Sequence, residues 1–187
     1  MVKSLPFDEI NTFEKAINEE ITYYGKVSEP KKVCDVVSDI LFYIYLLGYE
    51  AVNETYKSKI KPSAAKESDA VYKTIEGKTF EDRIAEYCES GTAEEVGRVI
   101  ETEMTRVYNQ AVIDAGGEYQ RESGRSVNKV WTTMADERVR STHEYLEGMM
   151  VPLDVEFWTY DGDHALGPGG FEKAENNVNC RCQLDIV

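Results

Sequence analysis

Apolar residues recur every three or four positions over residues 7–24, at Ile10, Phe13, Ala16, Ile17, Ile21 and Tyr24. That spacing predicts an amphipathic helix, which Gly25 can end. Ser28 offers an N-cap and Pro30 a first-turn residue for a second helix running to residue 56. Its apolar positions are Val33, Val36, Val37, Ile40, Leu41, Ile44, Leu47 and Tyr49. Between residues 40 and 49 it is apolar on more than one side, so it is expected to be central and largely surrounded. Residues 57–68 are polar, contain Pro62 and read as a loop. A short helix over 79–88 is broken at Ser90-Gly91. Thr92-Ala93-Glu94-Glu95 then forms a capping box for a long helix with Val96, Val99, Ile100, Met104, Val107, Tyr108, Ala111 and Val112 on one face. Gly116-Gly117 is expected to end or kink that helix.

After Gly124 the period changes. Residues 127–132 and 151–157 have strand-like content, 138–147 can form a helix of two to three turns, and 180–187 alternates as a closing strand. Residues 161–170 (D-G-D-H-A-L-G-P-G-G) are expected to be loop. The chain therefore reads as α+β: a helical region over 1–125 followed by a small α+β domain over 126–187.

Composition narrows the function classes. The 187 residues are 42% hydrophobic and 30% charged, enough for a folded core. Net charge is -14 at pH 7, and residues 128–187 alone hold 5 basic against 11 acidic side chains. With neither half basic, counterion release cannot drive tight binding to bare DNA. An acidic surface favours solubility or a basic protein partner. The N-terminus does not read as a signal peptide, and the longest apolar stretch, 40–49, is too short to span a bilayer. The protein is expected to be made in a cytosol, with Cys34, Cys88, Cys180 and Cys182 as thiols.

The chemistry-bearing residues gather late in the chain. Asp136, Arg138, Arg140 and His143 are spaced so that members can meet on one helical face, and Asp136 is expected to pair with Arg138 or Arg140. Such a set suits either a polar network that fastens loops or an active site with His143 as acid or base. Cys180 and Cys182 would share one face of a strand, and with His143 and His164 they total four nitrogen and sulfur groups, the count of a tetrahedral zinc site. Cys-x-Cys is not the usual zinc knuckle, and two buried thiols on a core strand are the expectation, with no metal and no cofactor. Trp131 and Trp158 read as core or edge aromatics. Gly167-Pro168-Gly169-Gly170 reads as a turn, and Asp161 and Asp163 as solvated charges.

Packing alone does not ask for this ordered set of residues. Trp131, Asp136, Arg138, Arg140, His143, Gly148 and Asn179-Cys180-Arg181-Cys182, preceded by a helix containing Tyr108-Asn109-Gln110-Ala111, resemble the phage Mu F-like, or SPP1 gp7-like, head morphogenesis family of minor capsid proteins. The resemblance covers about half of the chain, from Thr92 to Cys182. Many family members carry a Cys-x-x-Cys where this chain has Arg140-Ser141-Thr142-His143, and a histidine before the Asn-Cys-Arg-Cys that is absent here. The resemblance implies a structural protein of a tailed phage or prophage, assembled in the bacterial host cytoplasm and carried in the capsid interior. It also implies association with the portal or other interior proteins, and action in head assembly or DNA delivery. In that reading the motif residues are framework and none is catalytic. The alternative is a nucleotide-handling enzyme, such as an ADP-ribosyltransferase-like toxin domain, using Arg138 or Arg140 with His143.

Overall fold

The computed structural model describes residues 30–90 and 93–187. The expected helix over 7–24, its Gly25 stop, the Ser28 cap and the Thr92 cap lie outside the described residues. Helix α1 (Pro30–Tyr56) buries Val33, Val37, Ile40, Leu41, Ile44, Tyr45, Tyr49 and Val52, three and four apart. Helix α2 (Ala64–Val71) occupies part of the stretch read as loop. Its Ser63 cap accepts from the Lys66 amide at 3.3 Å. Only Ala70 and Val71 of this helix are buried, so apolar periodicity had nothing to report there. In front of α3 (Phe80–Ser90), Thr79 and Asp82 cap each other: the Asp82 amide donates to Thr79 Oγ1 and the Thr79 amide to Asp82 Oδ2.

Helix α4 (Ala93–Ser123) runs through Gly116-Gly117 without ending. A side chain at Gly116 would put its Cβ 3.1 Å from the Leu153 methyls, so this glycine lets the sheet region approach. The helix stops at Gly124, which has φ +68° and donates its amide to the Gln120 carbonyl. On one side α4 meets α1 closely. A Cβ on Gly48 would lie 2.5 Å from that of Ala111, Tyr56 stacks on Tyr119 at 4.1 Å, and Tyr45 donates to Asp114 at 2.6 Å. On another side α4 packs against the last strand.

Beyond α4 come β1 (Asn128–Thr132), α5 (Ser141–Glu144), β2 (Met150–Pro152), β3 (Phe157–Trp158), β4 (His164–Ala165), α6 (Ala174–Asn177) and β5 (Gln183–Ile186). An antiparallel sheet of order β2-β1-β5 places Lys129 opposite both Val151 and Ile186, and Trp131 opposite Leu184. A second, two-stranded sheet pairs β3 with β4. The fold is α+β, with strands starting after the long helices, and one apolar cluster runs from Val33 to Ile186.

Four local expectations need correction. The helix read over 138–147 is a single turn, because Asp136 and Arg140 are engaged by residues near the C-terminal end of the chain. The strand read from 151 to 157 is split by a turn in which the Val155 amide donates to the Pro152 carbonyl. The stretch 161–170 holds β4, a two-residue strand too short to show a period. The closing strand begins at Gln183, not at Cys180, because Asn179 sits at φ +57° and the Cys180 amide turns back to the Asn177 carbonyl.

Candidate functional site

Strand β1 supplies the anchor. Its burial alternates, with Lys129 and Trp131 on the core face, both fully buried. The Trp131 amide donates to the Met149 carbonyl at 3.0 Å and its carbonyl accepts the Gly148 amide at 2.9 Å. Gly148, at φ +71°, makes the reversal that allows this. The Trp131 ring meets Phe157 edge-on at 5.1 Å, Phe171 at 5.8 Å and the His143 imidazole edge-on at 5.3 Å. The short helix α5 thus lays His143 against the tryptophan, and Phe171 stacks on the imidazole at 5.4 Å. His143 is 1% exposed.

The terminal Asn-Cys-Arg-Cys segment closes over the imidazole. Cys180 Sγ lies 3.6 Å and Cys182 Sγ 3.7 Å from His143 Nδ1, and all three residues are buried. Hydrogen bonding from Cys182, then from His143, pulls the Cys180 thiol well below its ordinary range. The same bond to Cys180, reinforced by burial, pushes the Cys182 thiol up. His143 Nε2 is buried without a hydrogen-bond partner among the described residues. A hollow of about 10 Å³, room for one water-sized sphere, adjoins the three side chains and is rimmed by Met134, Arg138 and Arg140.

Helix α4 fixes the backbone of this segment, a role that apolar periodicity cannot display. Thr105 Oγ1 donates to the Cys180 carbonyl at 3.0 Å. Asn109, one turn on, donates to the Cys182 carbonyl at 3.3 Å and accepts the Leu184 amide at 2.8 Å. Both are polar residues at buried positions of α4, among Met104, Val107, Tyr108 and Ala111, and that anomaly is the signal for them. Glu103 and Arg106 extend the polar line. Glu103 pairs with Arg106 at 2.7 Å and with Arg83 at 2.7 Å, and Arg106 also donates to the Ala70 carbonyl at 2.7 Å.

Of the two partners expected for Asp136, Arg138 meets it only in a long ion pair of 4.0 Å and through its backbone amide at 3.1 Å, and the close partner is one the spacing did not suggest. Arg181 takes the Asp136 carboxylate in a two-pronged contact at 2.6 and 2.8 Å. That hydrogen bonding holds the Asp136 carboxyl below its ordinary range. The Arg138 side chain is 72% exposed, so its pair with Asp136 is open to solvent and weak. Arg140 donates instead to the Val178 carbonyl. Asp163, read as a solvated charge, is buried and accepts from the His164, Glu172 and Lys173 amides and from Asn176 Nδ2. Burial works to raise its pKa, and these donors outweigh it and lower the value. Asp161 is tied to Lys173 at 2.9 Å. His164 is not part of the cluster: it contacts Glu156 at 3.0 Å and stacks on Trp158 at 4.3 Å. The Gly-Pro-Gly-Gly turn has a packing reason, since a Cβ on Gly169 would lie 2.7 Å from the Arg106 Cα.

The structure therefore brings Trp131, His143, Cys180 and Cys182 into one buried cluster and joins Asp136 to Arg181 at its edge. Gly148 and Asn179 shape the turns, Arg140 clips the segment before Asn179, and Arg138 points to solvent. A sequence profile for "Phage Mu protein F like protein" matches residues 53–185. The chain is similar to the NAD(+)–arginine ADP-ribosyltransferase EFV of Enterococcus faecalis, 36% identical over 91 residues, 48% of this chain and 18% of that protein. It is also similar to the Minor head protein GP7 of Bacillus phage SPP1, 32% identical over 68 residues, 35% of this chain and 22% of that protein. The matched stretches span about a fifth of the length of these two relatives. No solved structure matches.

Proposed function

The chain belongs to the phage Mu protein F-like family, and from that premise we propose that it is a minor head protein of a tailed phage or prophage. It acts in head assembly or DNA delivery, is assembled in the host cytoplasm and is carried in the capsid interior. The observation that carries this reading is where the motif residues go. Trp131 and Gly148 stitch a turn to β1, Asp136 grips Arg181, Arg140 holds the Val178 carbonyl, and Asn179 sets the bend before the cysteines. These residues work as a framework over residues 126–187, and α4 is fastened into it through Thr105 and Asn109.

The partner is proposed to be a protein, the portal or another interior head protein. Tyr145, Trp158 and Tyr160 stand exposed beside one another, with Tyr145 and Tyr160 rings 5.5 Å apart and Tyr145 bonded to the Trp158 carbonyl. Exposed aromatics of this kind are the usual anchors of protein interfaces. The net charge of -14 disfavours duplex DNA as the direct partner. No described helix is long and apolar enough to cross a membrane.

The transferase relative raises a second reading, with Arg138 or Arg140 and His143 as a nucleotide-handling centre. In the folded chain both rings that flank the imidazole are in place and the residue is 1% exposed, so a nucleotide reaches it only if the cluster opens. Co-expression with the portal protein of the same phage or prophage tests both readings. The expected result is a stable complex that weakens in Trp158→Ala/Tyr160→Ala, with NAD left intact. Robust NAD cleavage lost in His143→Ala, without complex formation, would favour the enzyme.

A further inference from the structure

We propose that His143, Cys180 and Cys182 form a binding site for a soft divalent metal ion, zinc by preference. The site departs from the sequence expectation of two metal-free thiols and from the four-ligand set that included His164. The separations are those of a coordination shell. At ordinary Zn–N and Zn–S bond lengths and tetrahedral angles, an imidazole nitrogen and a thiolate sulfur bound to one ion lie about 3.6 Å apart. The observed separations from His143 Nδ1 are 3.6 Å to Cys180 and 3.7 Å to Cys182, and all three donor atoms lie within 4.8 Å of one another. Little rearrangement is needed to seat an ion.

The donor set selects the ion. Two thiolates and an imidazole suit zinc and exclude hard ions such as magnesium and calcium, which prefer oxygen. Charge also matches: a doubly charged cation with two thiolates and a neutral imidazole sums to zero, the condition a buried site needs. On binding, the thiol protons leave to solvent. The left-handed Asn179 and the Thr105 and Asn109 bonds hold the segment as a preformed clip, so its two sulfurs converge on one nitrogen. The 10 Å³ hollow that the three donors line leaves room for one water-sized fourth ligand. In this site the ion would tie α5 to the segment before β5, two parts of the chain far apart in sequence.

The test uses the full chain, reduced and stripped with a chelator, then titrated with Co2+ and with Zn2+. The expected result is one Co2+ per chain with sulfur-to-cobalt charge-transfer absorption, displaced by one Zn2+. Saturating Zn2+ should raise Tm by about 5–10 °C. Cys180→Ser and Cys182→Ser should each lower the affinity by more than the ~10–100-fold typical of changes behind the ligand shell. Cys34→Ser/Cys88→Ser should bind as the unsubstituted chain does. Should the ligand variants misfold, thiol alkylation of the unsubstituted chain decides: Zn2+ must protect Cys180 and Cys182 and leave Cys34 and Cys88 unchanged. Absence of saturable binding, charge-transfer bands that survive both serine substitutions, or protection confined to Cys34 and Cys88 would overturn the proposal.

Discussion

Two regions of this chain are held together by different physics. Where α1 crosses α4, the contact is close and mainly apolar, with one hydrogen bond from Tyr45 to Asp114: Gly48 faces Ala111, Val37, Leu41 and Ile44 are buried, and Tyr56 lies flat on Tyr119. Beyond residue 125 the strands are two to five residues long and cannot hold a sheet by themselves. There, buried polar side chains replace apolar stripes. Asn109 bonds β5, Asp163 gathers four donors, and His143 meets two thiols around Trp131. The first region tolerates change wherever volume is kept. The second depends on individual hydrogen bonds, because a buried donor left without its partner costs more than the bond gained.

The largest expected effect is Trp131→Ala, which empties the centre of the second region. It should cost about 3–5 kcal/mol in chemical denaturation, and a loss under 1 kcal/mol would break the comparison. Gly48→Ala probes the first region, where the new methyl meets Ala111 and the Tyr108 carbonyl. Overpacking should cost about 1–3 kcal/mol, and an unchanged midpoint would mean that the seam is loose. Asn109→Leu, close in size but unable to bond, should cost about 1–3 kcal/mol by stranding the Leu184 amide, and exchange at that amide should quicken.

Lys129 gives a pH-dependent test. Burial lowers its pKa from 10.5 to about 8, with its ammonium donating to the Leu153 carbonyl at 2.6 Å. Between pH 8 and 10.5 the unfolded chain binds the extra proton, so stability attributable to Lys129 rises with pH across that window and is lowest below it. Subtracting the pH profile of Lys129→Met should expose this rise, and identical profiles would show that the lysine is not buried in solution. The smallest effect is expected at Asp136. Its pair with Arg181 is partly open to solvent, so Asp136→Ala should lower Tm only slightly, and less still in high salt.

The same contrast governs what the chain reveals before its structure is known. Helices α1 and α4 follow from apolar spacing because packing against one another is what they do, and α3 follows from its opening at residues 79–82 and the break at Ser90-Gly91. The α+β character follows from the change of period near Gly124. The motif residues stand out by type and order, yet their pairings do not, because a bidentate contact between Asp136 and Arg181 joins positions 45 apart, whereas helical spacing suggests only near neighbours. Likewise, nothing local says that Asn179 bends the chain so that two cysteines face one histidine. Asp163 looked solvated because four donors from three later segments are needed to explain its burial.

The central claim is that the motif residues build a head component and do not turn over a substrate. It is tested most directly by purifying assembled heads from cells carrying the intact chain and assaying the same sample for the chain by mass spectrometry and for NAD cleavage. The account predicts the chain in the particles and NAD unchanged. Heads that lack it, with purified chain that cleaves NAD through His143, would contradict the account.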